Sequence, residues 1–388
     1  MNTPLSFAQW TALADGFVIA GIACATWSGF AHYAAARAGS GLKTGTLASK
    51  LALAALFGAT GLMLMAVIQR GIEVNHFPCQ TMSEVLTMFS FALLVSMTAL
   101  HFALGLHRRS NAWAIVDDAM MLLVLLGSFG TRVYMWTLST AQRDLPPALQ
   151  SYWFPPHISA LTFSYATLSI AGLICVIYFS MRFWLGVFRG GVSVRKQVLT
   201  GAAMTLVPFV QVVTAPVFFA TGAVFWWLKG KGRLPELATI GALEKDLDDV
   251  SFRAFAVGMP FLTAGLWMGA FWAQEAWANY WGWDSKENSA LITWLIYVIY
   301  IHLRMLGGYR GEKAMALLTA GTLSIFITFQ LFGYLPDSQK SMHRYTDDNV
   351  VPREGMQGPA QAAPATKTSQ AESKSSGTEM ASTEKKGG

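Results

Sequence analysis

Repeated apolar runs of about 20 residues constrain this chain more than any other feature of its 388 residues. Inside a bilayer every backbone N–H and C=O must be paired within the protein, so such a run reads as a spanning helix. Eight runs are legible: Ala12–Ala36, Leu51–Gln69, Val85–Leu106, Ala119–Trp136, Ile158–Phe183, Phe252–Phe271, Ala290–Leu303 and Ala314–Leu335. Composition agrees: 13% of residues are charged, against about a quarter in soluble domains. The expected fold is an all-α, polytopic membrane bundle of about eight spans.

Basic residues give the expected orientation, because cytoplasmic loops are enriched in Lys and Arg. Arg37, Lys43 and Lys50 follow the first run; His107, Arg108 and Arg109 follow the third; Arg182, Arg189, Arg195 and Lys196 follow the fifth; Arg310 and Lys313 precede the eighth. This places the N-terminus outside, with Arg70 as a mild exception at an outer end. Residues 198–228 carry Pro208 and Pro216 and have basic clusters at both ends. We expect a re-entrant hairpin or two half-spans there, returning the chain inside. Gly230–Ser251 reads as a charged inner loop, and Asp117 and Asp118 are expected at the inner surface. Met1–Asp15 lacks the basic start of a removable signal peptide. Residues 346–388 are polar and low in large apolar side chains, as expected of a disordered tail. The expected division is thus 1–345, a membrane domain, and 346–388, a tail.

Trp267–Arg304 stands apart. Six of the 14 Trp fall in it, and Trp272, Trp277, Trp281 and Trp283 lie within twelve positions, followed by Asp284, Lys286 and Glu287. Its middle is too polar to span lipid, so it reads as an outside loop or short interfacial helix. Indoles gather at membrane surfaces anyway; their density here points instead to a platform for a large flat ligand. The three cysteines are scattered, with no CxxC or CxxCH, so the chain offers neither a thiol-exchange pair nor a site for attaching its own c-type haem. His101 lies inside the third run, where a lone histidine is a functional candidate, although nothing near it in sequence pairs with it.

The run WAQEAWANYWGWDSKENSALITWLIYVIYIHLR resembles the tryptophan-rich WWD signature of haem-handling proteins that assemble c-type cytochromes. The closest match is the CcsA (ResC) branch of System II, with Ser285 in place of the usual Pro and Asn288 in place of a usual Thr; Glu287-Asn288 is also similar to CcmF-type haem lyases. Three further segments resemble the same family. PALQSYWFPPHISALTFSY matches at Pro147–Ser151, Trp153, His157, Ser164 and Tyr165. LDDVSFRA matches at Leu247, Asp248, Ser251, Arg253 and Ala254. In GIEVNHFPCQTMSE, His76, Phe77, Pro78 and Glu84 align; Glu84 also suits the start of the third helix as a cap. After Gly333 the chain reads FGYLPDSQKSMHRY, keeping His343 and Tyr345 at altered spacing.

The resemblance implies cytochrome c biogenesis at the outer face of an inner membrane. It implies haem b as substrate and bound ligand, apocytochrome c as partner and a CcsB (ResB)-like membrane subunit; nothing points to nucleic acid. It implies external haem ligands at His157 and His343, a transmembrane ligand at His302, and contacts from Trp272, Trp277, Trp281, Trp283, Asp284 and His76, the WWD loop covering 267–294. Asp284, Lys286 and Glu287 either orient polar edges of the ligand or cap the helix that follows. No catalytic acid–base pair is assigned. The implied enzyme is of the haem-lyase type, acting in a complex. The alternative is a transporter subunit for haem or another small molecule without bond-forming activity, suggested by the proline-interrupted 198–228 segment.

Overall fold

The computed structural model describes residues 5–41, 46–138, 140, 145–206 and 214–330. Among them are ten α-helices and no strand. We number them α1 (Phe7–Arg37), α2 (Leu47–Val74), α3 (Met82–Leu104), α4 (Asn111–Met135), α5 (Phe154–Phe188), α6 (Val194–Leu206), α7 (Thr214–Gly230), α8 (Leu237–Trp277), α9 (Ser285–Met305) and α10 (Glu312–Gln330). Six helices, α1 to α5 and α8, are long and apolar enough to cross a membrane. The 21 residues of α9 and 19 of α10 rise about 1.5 Å each, long enough for a bilayer core of about 30 Å. The chain is a multi-pass membrane protein. His343 and the tail 346–388 lie outside the described residues, as do 207–213 between α6 and α7.

Local chemistry sets the helix starts. Ser6, Thr81 and Asp284 each close a capping box, with Gln9, Glu84 and Glu287 respectively at the third helical position; each box satisfies two backbone donors that a helix start leaves open. Glu84 therefore does cap α3. It also pairs with Arg70, whose Nη2 lies 3.0 Å from Glu84 Oε1, and Arg70 Nη2–H donates to the Thr140 carbonyl at 3.0 Å. The exception to the charge pattern is thus a buried, neutralised arginine.

Two stretches differ from their sequence reading. Residues 230–251 are not an open charged loop, since α8 runs unbroken for 41 residues from Leu237. Leu243, Leu247, Val250 and Ala254 recur at helical spacing and pack into the core, while Lys245 and Asp246 face out; the charges mark one face of a helix. Asp117 and Asp118 lie within α4, buried rather than at a surface.

The most extensive helix pairing is α5 against α8. A Cβ added at Gly258, Gly265 or Gly269 of α8 would fall 2.9 Å from Leu168 Cγ, 2.6 Å from Leu161 Cδ2 and 2.6 Å from His157 Cε1. Small residues let helices approach where lipid supplies no hydrophobic drive between them. Hydroxyl pairs join other helices: Ser90–Ser128 at 2.7 Å, Ser96–Thr167 at 2.9 Å and Thr293–Ser324 at 2.6 Å.

Candidate functional site

At the end of the bundle where α5 and α9 begin, a cleft of about 1260 Å³, counted out to its open mouth, lies between α3, α5, α8, α9 and α10. One face of α5 forms a wall through His157, Leu161 and Tyr165, spaced four residues apart; Trp272, Gly269 and Leu266 of α8 face it, and Tyr280, Trp281, Lys286 and Glu287 close it from the connection and the start of α9.

His157 is placed by three constraints. It sits in the first turn of α5, which Pro155 and Pro156 open, prolines being suited to a position whose N–H has no helical partner. Its Nδ1–H donates to the Gly265 carbonyl at 2.8 Å. Its ring stacks on Trp272, centroids 5.5 Å apart and planes 27° from parallel. Gly269 leaves the space the ring occupies. A proton on Nδ1 leaves the lone pair on Nε2, the tautomer suited to metal ligation.

The tryptophan run and the PALQSYW segment meet here. Trp272 Nε1–H donates to the Ala148 carbonyl at 2.8 Å; the Ser151 hydroxyl donates to Glu275; Trp153 packs on Phe271 with centroids 4.8 Å apart. Trp277 meets Trp272 edge-on at 4.9 Å and packs on the apolar cluster of Val85, Phe154 and Cys79, which themselves line the cleft.

Past α8 the chain turns through two left-handed residues, Ala278 at φ +56° and Trp283 at φ +55°. A bulky side chain there is uncommon and marks an imposed conformation. It is held by Asn288 Nδ2–H, which donates to the Trp283 carbonyl at 2.9 Å, and by Glu287 Oε2, which accepts from the N–H of Gly282 at 2.8 Å and of Asp284 at 3.1 Å. The turn leaves Trp283 71% exposed and brings Trp281 to the cleft, where its Nε1 is buried with no hydrogen-bond partner. Asp284 caps α9, accepting from Lys286 N–H at 2.8 Å. Burial pushes the Lys286 ammonium down to about 8, against the pull of Asp284. Burial first, then the Glu84 charge, pushes the Cys79 thiol well above its ordinary range, so Cys79 is a neutral wall and not a nucleophile.

Of the residues singled out in sequence, His157, Trp272 and Trp281 line the cleft, while Trp277, Trp283 and Asp284 build its support. His76 lies in the α2–α3 connection beside the lining residues Cys79 and Gln80; its Nδ1 is bonded to the Phe77 carbonyl at 2.9 Å and its Nε2 is buried without a partner. His302 is elsewhere: exposed, with Nδ1 bonded to the Val298 carbonyl at 2.8 Å, it stands 16 residues beyond Lys286 on α9, about 24 Å along the axis. Residues of α6 and α7 do not appear among those lining the cleft. Sequence reasoning missed Gly265 and Gly269, although a small-xxx-small spacing on an apolar helix was there to be read.

Residues 45–337 match the family model described as Cytochrome C assembly protein, which covers every helix that lines the cleft. The chain belongs to this family, in its CcsA branch. A "Cytochrome c biogenesis protein CcsA" of Microcystis aeruginosa is 30% identical over 306 residues, 78% of this chain and 86% of its own length. Proteins of the same name from Heterosigma akashiwo and Cyanophora paradoxa are 32% and 30% identical, over 71% and 69% of this chain and 79% of their own lengths in both cases. Membership makes cytochrome c biogenesis the role of the chain. The family match begins after α1, which packs on α2 and α4 and lines no part of the cleft.

Proposed function

We propose that the cleft receives haem b and presents it to an apocytochrome c at the outer face of an inner membrane. The observation that carries this reading is the pairing of His157 with Trp272 at the wall of a largely apolar, open-mouthed cleft. An imidazole whose Nδ1 is tied to a carbonyl is a suitable axial donor for haem iron, and indole faces suit a porphyrin plane. Trp281 Nε1 and the Lys286 ammonium are polar groups at the cleft edge, fit to meet carboxylate side chains of a porphyrin. His343, outside the described residues, is the second axial donor on this reading.

The side follows from charge. Among the described residues only Arg70, Arg132 and Lys286 are basic at the cleft end, and Arg70 and Arg132 are buried against Glu84 and Asp15. The other lysines and arginines gather toward the opposite end, which the enrichment of Lys and Arg in inner loops makes cytoplasmic. His302, on the long way between, is the transmembrane ligand, with a CcsB (ResB)-like subunit completing its surroundings.

The reaction is addition of two cysteine thiols of a CxxCH segment across the two haem vinyl groups. Each addition forms one C–S bond, and the thiol proton ends on the other vinyl carbon, so no electrons are lost or gained overall. What this chain contributes is positioning, by holding one reactant rigidly so that the other meets it at high effective concentration. The test is co-expression with a CcsB-like subunit and an apocytochrome. Haem that stays on the cytochrome through a denaturing gel is expected; haem that accumulates without covalent product supports the transporter reading instead.

A further inference from the structure

A second set of convergent donors lies at the basic end. Gly105 ends α3 at φ +57°, a left-handed conformation that glycine adopts without steric cost. The chain doubles back through the short 3-10 turn Leu106–Arg108. His107 consequently lies flat on His101, with ring centroids 4.2 Å apart and planes 8° from parallel. Asp117, two turns into α4, faces both rings. His101 Nδ1 is 2.7 Å and His107 Nδ1 3.8 Å from Asp117 Oδ2, and one donor atom from each of the three residues falls within 4.8 Å of the others.

Hydrogen bonding leaves part of this cluster unexplained. Asp117 Oδ1 and His107 Nδ1 are both buried and accept or donate no hydrogen bond, His107 Nδ1 reaching Asp117 only at 3.8 Å, and the Asp117 side chain is 3% exposed. Buried polar atoms are nearly always paired, and an ion is one of the few things that accounts for an exception. The neighbouring pair behaves differently. His32 Nδ1 lies 2.7 Å from Asp118 Oδ2, and that same oxygen accepts from the Ser28 hydroxyl at 3.0 Å. One His–Asp pair is thus closed by a hydroxyl, while the other is left open toward a second imidazole.

We propose that His101, His107 and Asp117 bind a divalent first-row transition-metal ion at the inner junction of α3 and α4. Two imidazoles and one carboxylate suit Zn²⁺, Co²⁺ or Fe²⁺, and disfavour Mg²⁺ and Ca²⁺, which take oxygen shells. Ligands at bond lengths of about 2.0–2.1 Å in a tetrahedron sit roughly 3.3 Å apart. The 2.7 Å and 3.8 Å separations to Asp117 bracket that spacing, and the third pair lies within 4.8 Å, so the site closes when the two imidazole donors move toward each other. Coordination through Nδ1 places each ring proton on Nε2. At His107 this displaces Arg108 Nε–H, whose 3.1 Å contact with Nε2 is exposed. Three protein ligands leave a fourth position open to water or an exchangeable ligand.

The test uses the full chain purified free of haem in detergent, stripped with a chelator and titrated with Co²⁺. One equivalent is expected, with visible ligand-field bands that added Zn²⁺ abolishes. His107→Ala, at a half-buried turn position, should weaken binding at least tenfold, and Asp117→Asn should abolish it. His32→Ala should leave it unchanged. Absence of the bands, or bands that persist undiminished in His107→Ala, would overturn the proposal. Because Asp117→Asn risks misfolding, His107→Ala with an unaltered thermal midpoint decides the matter.

Discussion

Two buried histidines on helices that pack together, His157 on α5 and His101 on α3, sit at opposite ends of the bundle and in opposite company. His157 is held by a carbonyl and an indole, with Gly269 making room. His101 is held by the carboxylate of Asp117 and lies under a second imidazole. A carbonyl partner fixes the proton on the facing nitrogen and orients the lone pair of the other, whereas a carboxylate partner converging with a second imidazole supplies donors that suit a bound cation. The same contrast extends around each residue. The wall around His157 is built from rings and glycines, while His101 sits among charged and imidazole groups; buried charge pairs brace both ends, Arg70 with Glu84 at the cleft end and Arg304 Nη1 with Asp248 Oδ1 at 2.6 Å at the basic end. What a histidine does in this chain is set by what its ring nitrogens face.

Substitutions at the two ends should therefore fail in different ways. The largest stability effects are expected at Asp248 and Trp272, one at each end. Asp248→Ala strands the buried Arg304 and should cost about 3–5 kcal/mol, read as a lower unfolding midpoint in detergent, with haem content per folded chain retained. Midpoints that match the parent would mean that the pair is solvated. At the cleft, Trp272→Ala should cost a comparable ~3–5 kcal/mol but also remove haem. Trp272→Phe, which keeps a ring and loses the bond to Ala148, should lose about 1 kcal/mol. Gly269→Ala should leave the fold nearly intact while moving the His157 ring, so haem content should drop with a small change in midpoint. Equal haem in Gly269→Ala would show that ring placement at His157 is not critical.

The smallest effect concerns Lys286, in the first turn of α9 and ahead of the apolar stretch that begins at Ala290. Its folded value of about 8 lies below the ordinary 10.5, so the unfolded chain binds more protons between these values. Stability should accordingly rise modestly from pH 8 to 10.5. Lys286→Met should flatten that rise, as read from midpoints across the range. A carboxylate-bearing ligand beside the ammonium would pull its value back up, so haem should bind more weakly above pH 8 in the parent and show less pH dependence in the variant.

The membrane bundle was legible because span length and apolar content are properties of the chain itself. The tryptophan run and the segment around His157 were legible as unusual composition and as resemblance, and the structure brings His157 against Trp272. What could not be read was partnership. Asp117 lies 16 positions from His101 and Asp118 lies 86 from His32, and only the crossing of α3 and α1 with α4 joins them. Residues 237–251 were read as loop because charge density masked an amphipathic period. Arg70 looked misplaced because its partner Glu84 lies across a turn on the next helix.

The measurement that bears most directly on the account is the visible spectrum and haem content of the purified chain beside its His157→Ala variant, with His101→Ala as the companion at the other end. The account predicts a bis-imidazole haem spectrum in the parent, retained in His101→Ala, and at least a tenfold loss of that species in His157→Ala. Haem bound to His157→Ala in equal amount and with the same spectrum would contradict it.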